Sequence, residues 1–352
     1  MRGKRRFGLS NHLFEPLRCQ LLSLGTDMRR REFITLIGGA AASPLAARAQ
    51  QTPPVIGFLT SDTPDLRERR LGAFRKGLNE SGYEEGRNVA FEYRFSEQHL
   101  DQLPLLADDL VKRKVAIIVA APTPAAKSAK AATKSIPIVF VVGVDPVQTG
   151  LVTNLARPEG NITGISNLNV MVAAKRLELL HQLLPAAKSI GYLVNPTNTD
   201  FTVAETREMK LAAQTLGVSL LLVRAKDQSE FDAAFAAVAL EQPAGIVISG
   251  EALFLGYSAR LVALAAQYAL PTVYPTRAAA AAGGLISYGS DPLDGGRLAG
   301  IYAGRILKGE KPENLPVQQS TKVELVINLK TARAEGLEIP LPLIGRADEV
   351  IE

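Results

Sequence analysis

The 352-residue chain has no tryptophan, one cysteine and three histidines. A disulfide within the chain is therefore impossible, and a structural zinc site of the Cys/His kind is close to excluded. Cys19 falls in an N-terminal segment that the sequence marks for removal, so the remainder lacks the thiols of a Cys/His nucleophile or a two-cysteine racemase. Without tryptophan, the stacking platform typical of sugar sites would have to come from Tyr or Phe, which counts against a sugar ligand. No apolar run reaches the roughly 18–20 residues that span a bilayer. The chain also has no Gly-x-Gly-x-x-Gly, no Walker loop, no Gly-x-Ser-x-Gly elbow and no metal-ligand cluster, so neither cofactor nor metal is expected.

A surplus of one charge sign is missing too, although the formal net charge is +5. The first 49 residues hold nine basic side chains against three acidic ones, which leaves 31 basic against 32 acidic in the rest. No basic stripe survives to follow a phosphate backbone, and nucleic acid is not an expected partner. The leader reads as an export signal. Arg29-Arg30-Arg31-Glu32-Phe33-Ile34 resembles the twin-arginine motif, Phe33 to Ala47 is a modestly apolar stretch of small residues, and Ala47-Arg48-Ala49 offers a cleavage site. Residues 1–49 are expected to be a cleaved signal segment, with Met28 the true start. No lipid-attachment cysteine follows, so the expected product is free in the periplasm and monomeric.

What is present is an ordinary globular composition, 47% hydrophobic and 21% charged, with length enough for two domains. From Val55 onward, apolar strands alternate with helices. Val55–Thr60 reads as a buried strand closed by Ser61-Asp62, and Leu71, Phe74 and Leu78 lie at helical spacing before Gly82. Further strands are expected at 89–93, 115–120 and 137–142. The pattern then repeats: Ile190–Val194 mirrors Ile56–Thr60, with helices over 201–216, 229–239 and 257–268 and strands over 219–223, 245–249 and 271–274. Strands separated by such helices form parallel βαβ units. The expected fold is α/β, two Rossmann-like lobes with parallel sheets and a cleft between them. The tail supplies one more strand–helix–strand unit (285–288, 295–307, 316–328) that the lobes must share, making a multi-strand hinge. Residues 54–165 with 290–315 are expected to form the N-terminal lobe, and 166–289 with 316–352 the C-terminal lobe.

Two sequence blocks carry a resemblance. One runs from Val144-Asp145-Pro146 to Leu151-Val152 and on through Arg157-Pro158-Glu159-Gly160-Asn161-Ile162-Thr163-Gly164. The other joins Ser287-Tyr288-Gly289-Ser290-Asp291, Gly296-Arg297, Arg305–Gly309, Leu315-Pro316-Val317, Ile327–Ala332 and Arg346–Glu352. Together they resemble the substrate-binding proteins of ABC transporters of the tryptophan/tyrosine type, over essentially the whole chain after the leader. The resemblance implies a type I periplasmic-binding fold, capture of a small molecule between the lobes, and delivery to an inner-membrane ABC permease with its ATPase. It also places aromatic or branched amino acids first as ligands, with small aromatic carboxylates behind.

In open parallel sheets, ligands sit outside the carboxyl ends of the strands. The strand ends supply Ser61, Thr123 and Asp145 from the first lobe and Asn195, Glu251, Tyr274 and Tyr288 from the second. Helix-start amides favour an anion, while Asp145 or Glu251 suits an ammonium group, so the set fits a zwitterion or small carboxylate. Helix capping also accounts for Ser61, Thr123 and Asn195, and turn formation for Asp145. Tyr274 is singled out because a tyrosine at a cleft-side strand end has little core reason to be there. Other functions remain open at this level. An Asp145/Glu251 pair would serve an enzyme doing acid–base chemistry, and the same fold serves sensors that signal to a membrane receptor. A DNA-binding regulator is disfavoured, since no helix-turn-helix precedes Val55.

Overall fold

The computed structural model describes residues 52–352 apart from 168 and 321; the leader, with its arginine motif, cleavage site and Met28, lies outside the described residues. The first lobe begins β1 (Val55–Thr60), α1 (Pro64–Glu80), β2 (Ala90–Phe95), α2 (Leu103–Lys112), β3 (Ile117–Ala121), α3 (Thr123–Ala132), β4 (Ile138–Val142) and β5 (Ile162–Asn167). The second follows with α4 (Ala173–Leu183), β6 (Ser189–Val194), α5 (Thr199–Leu216), β7 (Ser219–Arg224), α6 (Phe231–Leu240), β8 (Ile246–Ile248), α7 (Ala252–Gly256), α8 (Ser258–Gln267), β9 (Thr272–Tyr274), α9 (Arg277–Ala281) and β10 (Ile286–Ser290). Then come α10 (Pro292–Leu307), β11 (Gln318–Ser320), β12 (Val323–Asn328), α11 (Leu329–Ala334), α12 (Leu341–Ile344) and β13 (Glu349–Ile351).

The strands form two sheets, ordered β11-β5-β4-β3-β1-β2 and β13-β12-β10-β9-β8-β6-β7. All pairings are parallel except β10 with β12. Strands covered by helices on both faces must be apolar throughout, and β3, β4 and β8 are buried at every position. Helix boundaries follow local chemistry. Pro64 starts α1, where its missing N–H costs nothing, and Gly217 in the left-handed region closes α5. The helix expected over 257–268 is α8, and a short unexpected helix, α7, precedes it with a break at Tyr257.

The chain passes between lobes after β5, after β10 and after β11. Although α10 follows a second-lobe strand, it packs on α1 and behind β3, β4 and β5 of the first. Glycines permit that approach: a Cβ on Gly77 would lie 1.8 Å from the Arg297 carbonyl oxygen, and one on Gly300 2.1 Å from that of Phe74. The extended stretch expected over 316–328 is shared, β11 pairing with β5 in the first sheet and β12 with β10 in the second. Among the described residues, no helix is long and apolar enough to cross a membrane.

Candidate functional site

The first lobe presents three strand ends in register. Thr60 pairs with Phe95 on one side and Ala121 on the other, so Ser61–Thr63, Ser96 and Thr123 emerge on adjacent strands about 4.8 Å apart. Ser61, Asp62, Thr63, Ser96 and Thr123 are each no more than 2% exposed. Yet Asp62 Oδ1, Thr63 Oγ1, Ser96 Oγ and Thr123 Oγ1 have no hydrogen-bond partner among the described residues. A buried polar atom left unpaired costs about 1–3 kcal/mol, and native proteins tolerate few. Four of them at one set of strand ends is the signature of a site made to receive polar groups.

The elements behind these atoms hold them in place. Thr60 Oγ1 accepts the Asp62 N–H at 3.0 Å, and the buried Arg70 on α1 donates to Asp62 Oδ2, leaving Oδ1 free. Burial pushes the Asp62 carboxyl upward, with Arg70 and Thr60 pulling the other way. Pro122 occupies the N-cap position of α3 and brings no side-chain acceptor, so the first amides of that helix point outward with the positive end of its dipole.

The second lobe answers with one carboxylate. Glu251, 2% exposed, caps α7 by accepting the Leu253 N–H at 2.8 Å. It also accepts from Asn195 Nδ2 at 3.1 Å and Asn198 Nδ2 at 2.9 Å. Burial raises its pKa first of all; those donors lower it and the charge of Asp62 across the lobe boundary raises it again. The lobes therefore set a carboxylate from each side near the other. They also touch directly. Leu66 packs against Ala252 and Leu255, Lys127 Nζ lies 2.8 Å from Asp200 Oδ2, and a Cβ on Gly256 would lie 1.9 Å from Thr63 Oγ1. Beside this contact a crevice of about 640 Å³ opens between the lobes, lined by Asp145, Asn167, Met171, Asp200 and Val203 among others.

Of the residues expected from strand ends, Ser61 and Thr123 stand on the first-lobe floor, and Asn195 and Glu251 are bonded to each other opposite it. Asp145 is exposed at the crevice, and its Oδ1 accepts the Val147 N–H at 2.8 Å, so it caps a turn. The carboxylate whose charge acts on Glu251 is Asp62. Tyr274 has a core reason after all: its ring is buried with Leu193, Phe254, Leu261 and Ala279 and lies against Gly284. Tyr288 is half-buried against the other second-lobe core, and its carbonyl accepts from Arg176. Strand-end reasoning overlooked Asp62, Ser96 and Asn198. Asp62 lies two residues beyond β1 and Ser96 one beyond β2, so position was a usable signal for both. Asn198 lies one turn beyond Asn195 and had none.

Comparison with known proteins bears on this geometry. The family model described as ABC transporter substrate binding protein matches residues 55–351. A curated "Tyrosine-binding protein" of Clostridioides difficile is 27% identical over 275 residues, 78% of this chain and 78% of that one. Among solved structures, a conserved domain protein from Vibrio cholerae is 30% identical with a TM-score of 0.77, covering 85% of this chain and all of its own. An ABC domain from Streptococcus pneumonia in complex with L-Trp is 27% identical with a TM-score of 0.75, again covering 85% of this chain and all of its own.

Proposed function

The chain belongs to the ABC transporter substrate-binding protein family, and from that premise we propose that its ligand is an aromatic α-amino acid bound as a zwitterion. The family is one of solute-binding proteins that work with a transporter permease, and the two lobes have the type I periplasmic-binding form. The observation that carries the proposal is the set of unpartnered polar atoms on the first-lobe strand ends. Asp62 Oδ1, facing Glu251, accepts an ammonium group. The hydroxyls of Ser96 and Thr123, with the opening amides of α3, donate to a carboxylate. One free anionic acceptor beside several free donors is the complement of an amino acid backbone. It fits neither a sugar nor a simple acid as well. The aromatic side chain is supported by the tyrosine-binding and L-Trp-bound relatives.

Capture proceeds by lobe closure, which shifts an open–closed equilibrium toward the form in which Asp62 and Glu251 meet around the ligand. The leader supports export to the periplasm, where the closed form is presented to the permease. N-terminal sequencing of exported protein tests this, with Gln50 the expected first residue.

A thermal-shift screen tests the ligand. It compares L-tyrosine, L-tryptophan and L-phenylalanine with their deaminated acids and decarboxylated amines. A ligand at a hundred times its Kd adds about 2.7 kcal/mol, or about 5 °C in a chain of this size. The amino acids are expected to shift Tm and the two truncated series to lose most of that shift. Deaminated acids that stabilise as well as the amino acids would remove the ammonium site and with it the proposal.

A further inference from the structure

Directly beneath the Glu251 loop lies a buried polar network. Arg176 on α4 and Glu205 on α5 form an ion pair in which both side chains are wholly buried. Arg176 also donates to the carbonyls of Asn169 at 3.2 Å and Tyr288 at 3.4 Å. Glu205 Oε2 accepts from the Tyr192 hydroxyl at 2.6 Å and from the Ser249 hydroxyl, and its Oε1 accepts the Gly250 N–H at 3.0 Å. The Ser249 oxygen in turn accepts the Glu251 N–H at 3.3 Å. On the other face, Asn169 Nδ2 donates to the Gly250 carbonyl at 3.3 Å, and Asn169 Oδ1 accepts from the Ser290 hydroxyl at 3.1 Å.

The partners divide in a telling way. Ser249, Gly250 and Glu251 are the strand end that carries the ligand-facing carboxylate. Asn169 lies on the passage from β5 to α4, and Ser290 ends β10 where the chain returns to the first lobe. Both peptide groups of Gly250 are held, one by Glu205 and the other by Asn169, and a Cβ there would already lie 3.3–3.4 Å from Asn169, Arg176 and Glu205. A buried ion pair contributes little net stability compared with apolar packing of the same volume, because desolvation offsets its attraction. Its distinctive property is directional: it fixes the groups bonded to it in one arrangement.

We propose that Arg176 and Glu205 are positioning residues that fasten the Ser249–Glu251 loop to the interlobe passages at Asn169 and Ser290. The second-lobe wall of the site and the hinge then move as one piece, and closure delivers Glu251 to a fixed place opposite Asp62. This rests on Glu251 facing the ligand as described above.

The test uses the mature chain and its Asn169→Ala and Ser290→Ala variants, which trim the hinge side of the network without leaving a buried charge unpaired. Glu205→Gln is added if it folds. Hydrogen exchange of the ligand-free proteins, read on residues 249–256, is expected to quicken at least tenfold in Asn169→Ala, with 117–121 of the first lobe unchanged. Calorimetry is expected to show Kd for L-tyrosine and L-tryptophan raised about tenfold. A general structural role would instead lower Tm and quicken exchange across the whole second lobe with Kd unmoved, which overturns the proposal, as does unchanged exchange at 249–256. If the wild-type chain binds neither amino acid, the ligand reading has failed on its own, and exchange at 249–256 alone decides the positioning role.

Discussion

Gly256→Ala is the most direct probe of closure. Gly256 ends α7 where the second lobe meets Thr63, and an added Cβ would lie 1.9 Å from Thr63 Oγ1, 2.7 Å from its Cγ2 and 2.8 Å from its Cβ. Turning the Thr63 side chain relieves the first two contacts but not the third, because Cβ does not move with χ1. Ordinary contact begins near 3.4 Å, so even with Thr63 turned the lobes must part by about 0.6 Å at this point. An ammonium group spanning Asp62 and Glu251 would then keep one charged hydrogen bond and lose the other. Such bonds contribute about 1.5–3 kcal/mol, so Kd should rise about 10- to 100-fold. The contact lies between lobes and in neither core, so Tm of the ligand-free protein should change by no more than about 2 °C. Calorimetry with L-tyrosine gives the affinity, and small-angle scattering with ligand gives the degree of closure. An unchanged Kd together with a fully closed scattering profile would refute the reasoning, since the methyl would then be accommodated without separation.

Three further outcomes follow from the same geometry. Glu251→Gln keeps one acceptor oxygen for the Leu253 amide but removes the charge, so Kd for L-tyrosine should rise about tenfold while affinity for the deaminated acid holds; equal losses for both would place the ammonium elsewhere. The carboxyls of Asp62 and Glu251 are both raised, chiefly by burial. They therefore stabilise the ligand-free closed form below the ordinary carboxylate range and cease to do so as pH rises through their raised values. Ammonium binding requires the ionised forms, so affinity should weaken as pH falls through their raised values toward the ordinary carboxylate range, and a flat calorimetric profile would exclude the pair. On the far side of the second lobe, burial lifts Glu335 to about 7. Its contribution is present below the unfolded value and lost as pH rises through about 7, so Glu335→Gln should raise Tm at alkaline pH and not in acid, as read from paired melting curves.

The sequence discloses the architecture wherever one lobe's strands are apolar throughout, as in β1, β3 and β4. It is silent where small and polar residues fill a buried strand. Ile162–Asn167 is fully buried as β5, yet its Thr, Gly, Ser and Asn conceal the pattern. The site divides along a similar line. The strand-end placement of Ser61, Thr123, Asn195 and Glu251 is legible because strand ends are predictable positions. Position along a strand does not say which way a side chain turns: Tyr274 goes into the core, and Asp145 caps its own turn at the crevice. Arg176 and Glu205 stand 29 residues apart on separate helices, and only the packing of α4 against α5 makes them partners.

The return of α10 to the first lobe bears on how the protein acquires its structure during synthesis. Ala299, Tyr302, Ala303, Ile306 and Leu315 share a core with Ile56, Phe58 and Phe74. A nascent chain that has emerged only as far as β10 holds the whole first-lobe sheet except β11, with α1 covering one apolar face only in part and the share that α10 covers still exposed. Contacts spanning most of the chain must form last, and loop closure over such separations slows folding. The first half of the molecule is thus dependent on the end of its own translation, and the two lobes should denature in a single cooperative transition.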